Sequence, residues 1–257
     1  MIKLKLENFS TGYKNKIIID SINLSINEGE WFGIIGANGS GKSTLIKGIC
    51  RIIKPQKGKV FLKGKDINNL SNKSISQQIS FLPQGINSNL SISVSDLVAL
   101  GRSPYKNFWD FDLTKNDKSI IEESLKLVEI LDLKDCLLSE ISGGQRQRAF
   151  LALALAQETE IIILYEPTNY LDINHQIKFL QILKDLQFKK HLTIITVLHD
   201  LNLCARFSDQ IAALKNGLLI EVGEPKDILN KNIIKNIFEI NVLISKTKYG
   251  QQFYPVD

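Results

Sequence analysis

An α/β fold with a parallel-sheet core, an N-terminal antiparallel β portion and a helical insertion follows from three features of the sequence. Residues 31–35, 161–164 and 192–198 are short apolar runs, the mark of strands buried on both faces of a parallel sheet. Helical patterns alternate with these runs, as strand–helix–strand units require. From about residue 93 to 156 the periodicity is helical, which places an insertion in the middle of the chain.

The elements follow in order. Residues 1–7 alternate charge and apolarity, and the first thirty residues read as short alternating strands with a turn at Thr11-Gly12-Tyr13. After the run at 31–35 comes a glycine-rich loop, 36–41, and a helix over 42–49. Residues 59–62 and 79–82 read as strands, the second stopped by Pro83. Val94, Leu97 and Val98 share one helical face, and so do Ile120, Ile121, Leu125, Val128 and Leu131. Residues 176–186 read as a crossover helix between the last two apolar runs. The tail after Leu229 is rich in Asn and Lys and carries the weakest pattern.

With 257 residues the chain makes one large domain or two small ones and needs no disulfide or metal to build a core. Its three cysteines, Cys50, Cys136 and Cys204, are far apart, which points to ordinary buried thiols in a reducing compartment. No signal-peptide pattern opens the chain, and the longest apolar stretch, 149–156, is far short of the ~20 residues of a membrane span. The expectation is a soluble cytosolic chain able to dock on a membrane protein. The net charge of +5 is scattered rather than blocked, which argues against a nucleic-acid partner.

Two motifs carry the chemistry. Gly36-Ala37-Asn38-Gly39-Ser40-Gly41-Lys42-Ser43-Thr44 matches G-x-x-x-x-G-K-[ST] between a strand and a helix. Its glycines let successive N–H groups wrap an anion, and the following helix adds its positive end. Lys42 supplies charge to β and γ phosphates, and Ser43 a hydroxyl for Mg²⁺. ATP or a similar nucleotide with Mg²⁺ is therefore the expected ligand. Further along, Ser142-Gly143-Gly144-Gln145 precedes an apolar helix, with Ser142 as its N-cap and glycines exposing the first donors. It is a second anion-binding helix terminus.

With these motifs in place the chain resembles the ATP-binding cassette ATPases, the motor subunits of ABC transporters, from about Leu4 to Asp227. Tyr13 matches the aromatic that stacks on adenine, residues 36–44 the Walker A loop, and Gln84 the Q-loop glutamine that reaches Mg²⁺ and the transmembrane partner. Residues 142–145 match the signature, Glu166-Pro167-Thr168-Asn169 the segment after the Walker B strand, Asp172 the D-loop, and His199 the switch histidine. The resemblance implies a P-loop NTPase (RecA-like) core in one cassette over 1–257. Residues 1–92 and 157–225 would form the nucleotide-binding part, 93–156 the helical signature part and 226–257 a C-terminal extension. It also implies a head-to-tail homodimer in which each ATP lies between one Walker A loop and the partner's signature. Two permease subunits and an extracytoplasmic solute-binding protein would complete the machine at the cytoplasmic membrane face. Glu166 would be the base or water-orienting carboxylate and His199 the γ-phosphate contact. His175 and His191 read instead as satisfied core residues.

One position departs from the family. Where an Asp almost always precedes the glutamate, this chain has Tyr165. A neutral phenol replaces a negative charge in the Mg²⁺ surroundings, so weakened Mg²⁺ use and slow or absent hydrolysis are expected. The bland alternative is that Tyr165 turns away and a water or Glu166 covers the metal. The stretch Leu100-Gly101-Arg102-Ser103-Pro104-Tyr105, with residues 197–203 and 237–242, is similar to cassettes of iron–siderophore, haem and cobalamin importers; read structurally, 101–105 is a loop in the helical insertion, with Pro104 ending a helix. Alternatives are a zinc, manganese or other small-solute importer, a hydrolysis-deficient regulatory cassette, or an ABC ATPase acting on nucleic acid. A single cassette without heptads or a basic face opposes the last.

Overall fold

The computed structural model describes residues 1–14, 16–83, 91–107, 112–169, 171–247 and 250–256. In chain order its elements are β1 (Ile2–Tyr13), β2 (Lys16–Asn27), β3 (Trp31–Gly36), α1 (Lys42–Ile49), β4 (Lys57–Leu62), β5 (Lys65–Asp66), α2 (Asn72–Ser76) and β6 (Ile79–Leu82). There follow α3 (Val94–Ala99), α4 (Lys115–Leu127), α5 (Gly143–Ala156), β7 (Ile161–Tyr165), α6 (Ile173–Lys190), β8 (Thr193–Val197) and α7 (Leu201–Phe207). The chain closes with β9 (Gln210–Lys215), β10 (Leu218–Gly223), α8 (Pro225–Ile228), α9 (Lys231–Phe238), β11 (Asn241–Thr247) and β12 (Gly250–Val256). They divide into two compact units, residues 1–70 with 190–257, and residues 71–189.

In the first unit β3 runs parallel to β8 on one side and β9 on the other, with β10 antiparallel to β9. All six residues of β3 and all five of β8 are buried, as their apolar runs require. Trp31 anchors this sheet: its indole N–H donates to Thr196 Oγ1 at 2.9 Å and its backbone N–H to Asp209 Oδ2 at 2.8 Å. A second, antiparallel sheet has the order β2-β1-β4-β5. The turn expected at Thr11-Gly12-Tyr13 is not there. These residues end β1, with Gly12 opposite Ile17 and Tyr13 opposite Lys16, and the backbone turns at Lys14, whose φ is 52°. Gly12 serves close cross-strand approach instead: a Cβ on it would lie 2.0 Å from the Lys16 carbonyl oxygen.

In the second unit β6 and β7 pair in parallel, Ile79 with Ile161 through Leu82 with Leu164. The alanine-rich helix α5 packs against α3 and α4, burying Ala149, Phe150, Leu151 and Ala152 among others. The insertion is more broken than its periodicity suggests. α4 ends at Leu127, and Leu131 falls in a separate 3-10 turn, only half-buried, while Ile130 is fully buried.

The stretch 100–105 is a 3-10 turn rather than a loop, and its side chains staple the unit. Buried Arg102 bonds Asp117 through Nε at 2.9 Å, and through Nη1 the Ala156 carbonyl and Glu158, each at 2.7 Å. Lys106 Nζ closes on the other Asp117 oxygen at 2.9 Å, and Tyr105 lies under the guanidinium at 4.2 Å. Burial opposes ionisation of Asp117, but hydrogen bonds from Lys106, Thr114 and Arg102 outweigh it and hold the carboxyl well below its usual range. Gly101 is required where a Cβ would lie 2.4 Å from the Leu153 carbonyl oxygen. Of the cysteines only Cys204 is fully buried; Cys50 and Cys136 are part-exposed.

Candidate functional site

The apolar strand β3 delivers the chain into the glycine-rich loop, and α1 starts directly after it. Gly39 (φ 79°) and Gly41 (φ 102°) adopt left-handed conformations, which favour glycine. Gly41 is the N-cap of α1 and no side chain caps that helix, so its first amides are presented to the loop. Buried Lys42 curls back, its Nζ donating to the carbonyls of Gly36 at 2.8 Å and Ala37 at 3.0 Å. Ser40 Oγ is buried without a hydrogen-bond partner, and a Cβ on Gly36 would lie 2.5 Å from it. A cradle of amides, a buried ammonium and an orphaned hydroxyl suits a phosphate. Ala37 is half-buried, Asn38 and Gly39 are exposed, and Ser43 and Thr44 lie in the first turn of α1. Tyr13, 48% exposed at the end of β1, has ring surface open to a stacking partner, and its hydroxyl lies 3.5 Å from Lys47 Nζ.

The register Ile34↔Val197 places His199, two residues past β8, on the same carboxyl edge as Gly36, two residues past Ile34. Ligands of open α/β sheets collect at that edge. His199 is exposed. Asp200 beside it caps α7, accepting from the backbone amides of Asn202 at 2.7 Å and Leu203 at 3.1 Å.

In the second unit β7 ends in Tyr165, and Glu166 follows. Glu166 is buried, adopts a left-handed φ of 50°, and accepts a hydrogen bond from Asn169 Nδ2 at 2.6 Å. Such a conformation in a non-glycine residue costs on the order of 1–3 kcal/mol and concentrates at functional sites. Tyr165 is half-buried and hydrogen-bonds Glu166. Burial, then the Glu166 charge and a hydrogen bond to that carboxylate, raise its phenol above the ordinary value, so it is neutral. Gln84 lies outside the described residues; the pairing of Leu82 with Leu164 brings the end of β6 alongside that of β7.

Ser142 caps α5 in a closed capping box. Its Oγ accepts from the Gln145 amide at 3.3 Å, and Gln145 Oε1 accepts from the Ser142 amide at 2.8 Å. Asp172 lies at the start of α6, and its carboxylate accepts from the His175 amide at 2.9 Å and from His175 Nδ1 at 2.8 Å. The amide first and then the imidazole hold the Asp172 carboxyl below its usual range.

Neither His175 nor His191 is a core residue. His191 is exposed with φ 51° just past α6. His175 is exposed, and its ring fills the space over Gly144, where a Cβ would lie 2.4 Å from Cδ2. This contact joins Gly144 to Asp172; only the Asp172–His175 spacing of i, i+3 hinted at it. Asn169, the partner of Glu166, was likewise visible only as a neighbour in sequence. Among the described residues no cluster of three or more His, Cys, Asp or Glu could hold a metal. A Mg²⁺ here would rest on nucleotide phosphates with Ser43, and with Gln84 outside the described residues, as its expected protein groups.

Known proteins match this architecture along the whole chain. Residues 19–169 match the family model described as ABC transporter. The iron(3+)-hydroxamate import ATP-binding protein FhuC of Bacillus subtilis (strain 168) is 38% identical over 244 residues, 95% of this chain and 90% of that protein. A structure described as an inward-facing conformation of a metal-chelate type ABC transporter superposes with a TM-score of 0.88 at 26% identity, covering 100% of this chain and 98% of that one. The dimeric post-hydrolysis state of the cassette MJ0796, bound to ADP and Pi, superposes with a TM-score of 0.73 at 31% identity, covering 86% and 98%. With a parallel-sheet core behind a phosphate-binding loop and a capped signature helix, this chain belongs to the ABC transporter family as one of its ATPase cassettes.

Proposed function

We propose that this cassette binds ATP with Mg²⁺ and powers the import of an iron(III)–siderophore complex, haem or cobalamin. The observation that carries the reading is the phosphate cradle: Lys42 held by the Gly36 and Ala37 carbonyls beside the orphaned Ser40 hydroxyl. Two copies form a head-to-tail dimer, a reading supported by the dimeric MJ0796 cassette. Ser142, Gly143, Gly144 and Gln145 of one chain then face the nucleotide held by residues 36–44 of the other, and Tyr13 stacks on adenine. Two permease subunits carry the pair on the cytoplasmic membrane face, reached through Gln84, and an extracytoplasmic binding protein supplies the cargo. No helix among the described residues is long and apolar enough to cross a membrane. The iron-chelate cargo rests on the FhuC relative and on the metal-chelate type structure.

The roles follow from charge and position. Lys42 and the loop amides neutralise the phosphates, and Ser43 offers its hydroxyl to Mg²⁺, which supplies Lewis-acid charge when bound. Glu166 accepts the proton of the attacking water while His199 holds the γ-phosphate. Tyr165 reduces this activity because a neutral phenol stands where a carboxylate would accept from the metal's water, and it engages Glu166 as well. The test is Tyr165→Asp. The Mg²⁺-dependent ATPase rate is expected to rise by about 10- to 100-fold, and an unchanged rate overturns the impairment.

Tyr165 also favours a second reading, a cassette that binds ATP but hydrolyses it poorly in a regulatory role. Sedimentation velocity separates the two: dimers that form with ATP and dissolve once Mg²⁺ is added mark a motor, whereas dimers that persist mark the regulatory form. Uptake of radio-iron as a hydroxamate chelate by cells with and without the cassette tests the cargo. Equal uptake overturns the iron assignment.

A further inference from the structure

His175 touches two parts of the chain, the Asp172 loop and the signature that the sandwich reading turns toward the partner's nucleotide. On one edge of the ring, Nδ1 lies 2.8 and 2.9 Å from the two oxygens of Asp172. The depressed Asp172 carboxyl is an acceptor only, so Nδ1 carries the proton. On the other edge, Cδ2 occupies the space directly over Gly144, the second residue of α5 and the middle of the signature. The segment between is braced by the next residue, Gln176, whose Nε2 donates to the carbonyls of Leu171 at 2.9 Å and Thr168 at 3.3 Å. A side chain at position 144 would push the ring off Asp172, and loss of the ring would leave both the carboxylate and the helix terminus without this mutual support.

We propose that His175 is a positioning residue that ties the Asp172 loop to the signature helix of its own chain, so that both are presented to the partner's ATP as one body. The inference rests on the sandwich-dimer reading. His175 touches neither ATP nor the reacting atoms; it sets where Asp172 and the start of α5 stand relative to each other. Removing it weakens association across the dimer while the chain's own phosphate loop keeps its nucleotide.

The test uses the full chain carrying Glu166→Gln to retain ATP. Sedimentation equilibrium with MgATP reads dimer affinity, and a fluorescent ATP analogue at concentrations below dimerisation reads nucleotide binding by the single chain. Adding His175→Ala is expected to weaken the dimer by about tenfold or more while changing single-chain nucleotide affinity by less than about twofold. His175→Asn, which keeps an N–H donor near the Nδ1 position, is expected to recover most of the loss. Equal dimerisation with and without His175, or a parallel loss of single-chain binding, overturns the inference. If His175→Ala does not fold, His175→Phe decides instead, since it keeps a ring over Gly144 and drops the bond to Asp172; unchanged dimerisation there overturns the role of that bond. If the Glu166→Gln parent itself stays monomeric in ATP, the sandwich reading falls, and the inference with it.

Discussion

Glu166 carries two neutral donors, Asn169 and Tyr165, within a backbone conformation that few non-glycine residues adopt. A carboxylate oriented by these hydrogen bonds keeps its geometry through changes of salt better than one aligned by charge alone. Gly144 lies beneath the exposed His175 ring, which a Cβ there would displace. Gly144→Ala is expected to disrupt ATP-dependent dimerisation by forcing the ring off Asp172. Combined with His175→Ala the two losses should be less than additive, because residues in contact couple by about 0.5–3 kcal/mol in double-mutant cycles. Simple additivity in sedimentation would show that the contact transmits nothing. Tyr165 was legible as a departure from the family pattern, but its hydrogen bond to Glu166 was not, since a sequence does not report a rotamer. The place of His175 was hidden because its partner Gly144 is thirty-one positions away and no local periodicity points to it.

Among the elements, the strands were the most legible. β3, β7 and β8 are buried along nearly their whole length, and that condition writes itself as an unbroken apolar run. The β1–β2 turn was displaced because Gly12 answers to a partner strand rather than to a turn. The 3-10 turn at 100–105 illustrates a motif whose family flavour has a packing cause: Arg102 and Asp117 knit α4 to the end of α5. Arg102→Leu removes one of the partners of the buried Asp117 carboxylate and the donor to the Ala156 carbonyl, and is expected to cost about 1–3 kcal/mol in urea denaturation. Asp117 also gives the acid response its sign. Its folded pKa is depressed, so its stabilisation is present above the unfolded value near 4 and is lost as pH falls below it. Wild-type Tm should drop on acidification through that range more steeply than that of Asp117→Asn; parallel curves would refute the assignment.

For the whole molecule, the first unit is built from both ends of the chain, residues 1–70 and 190–257, and its weakest-patterned stretch proved structured. The tail forms α9 and the β11–β12 hairpin. Asn202 of α7 fastens that hairpin, its Oδ1 accepting from the Phe253 amide at 2.7 Å and its Nδ2 donating to the Phe253 carbonyl at 3.4 Å. Phe253→Ala is expected to destabilise the chain by about 3–5 kcal/mol, read as a lower urea midpoint; no change would mean the hairpin is decorative. The tail was illegible in the sequence because one asparagine and one phenylalanine, fifty-one positions apart, hold it to α7. The closed box at Ser142 and Gln145 bears on preorganisation. Those two residues already satisfy one another's amides at the head of α5, while the Ser142 O–H keeps its own hydrogen to donate. The helix end is thus fixed in shape beforehand, and an anion that meets the hydroxyl need not rearrange the cap.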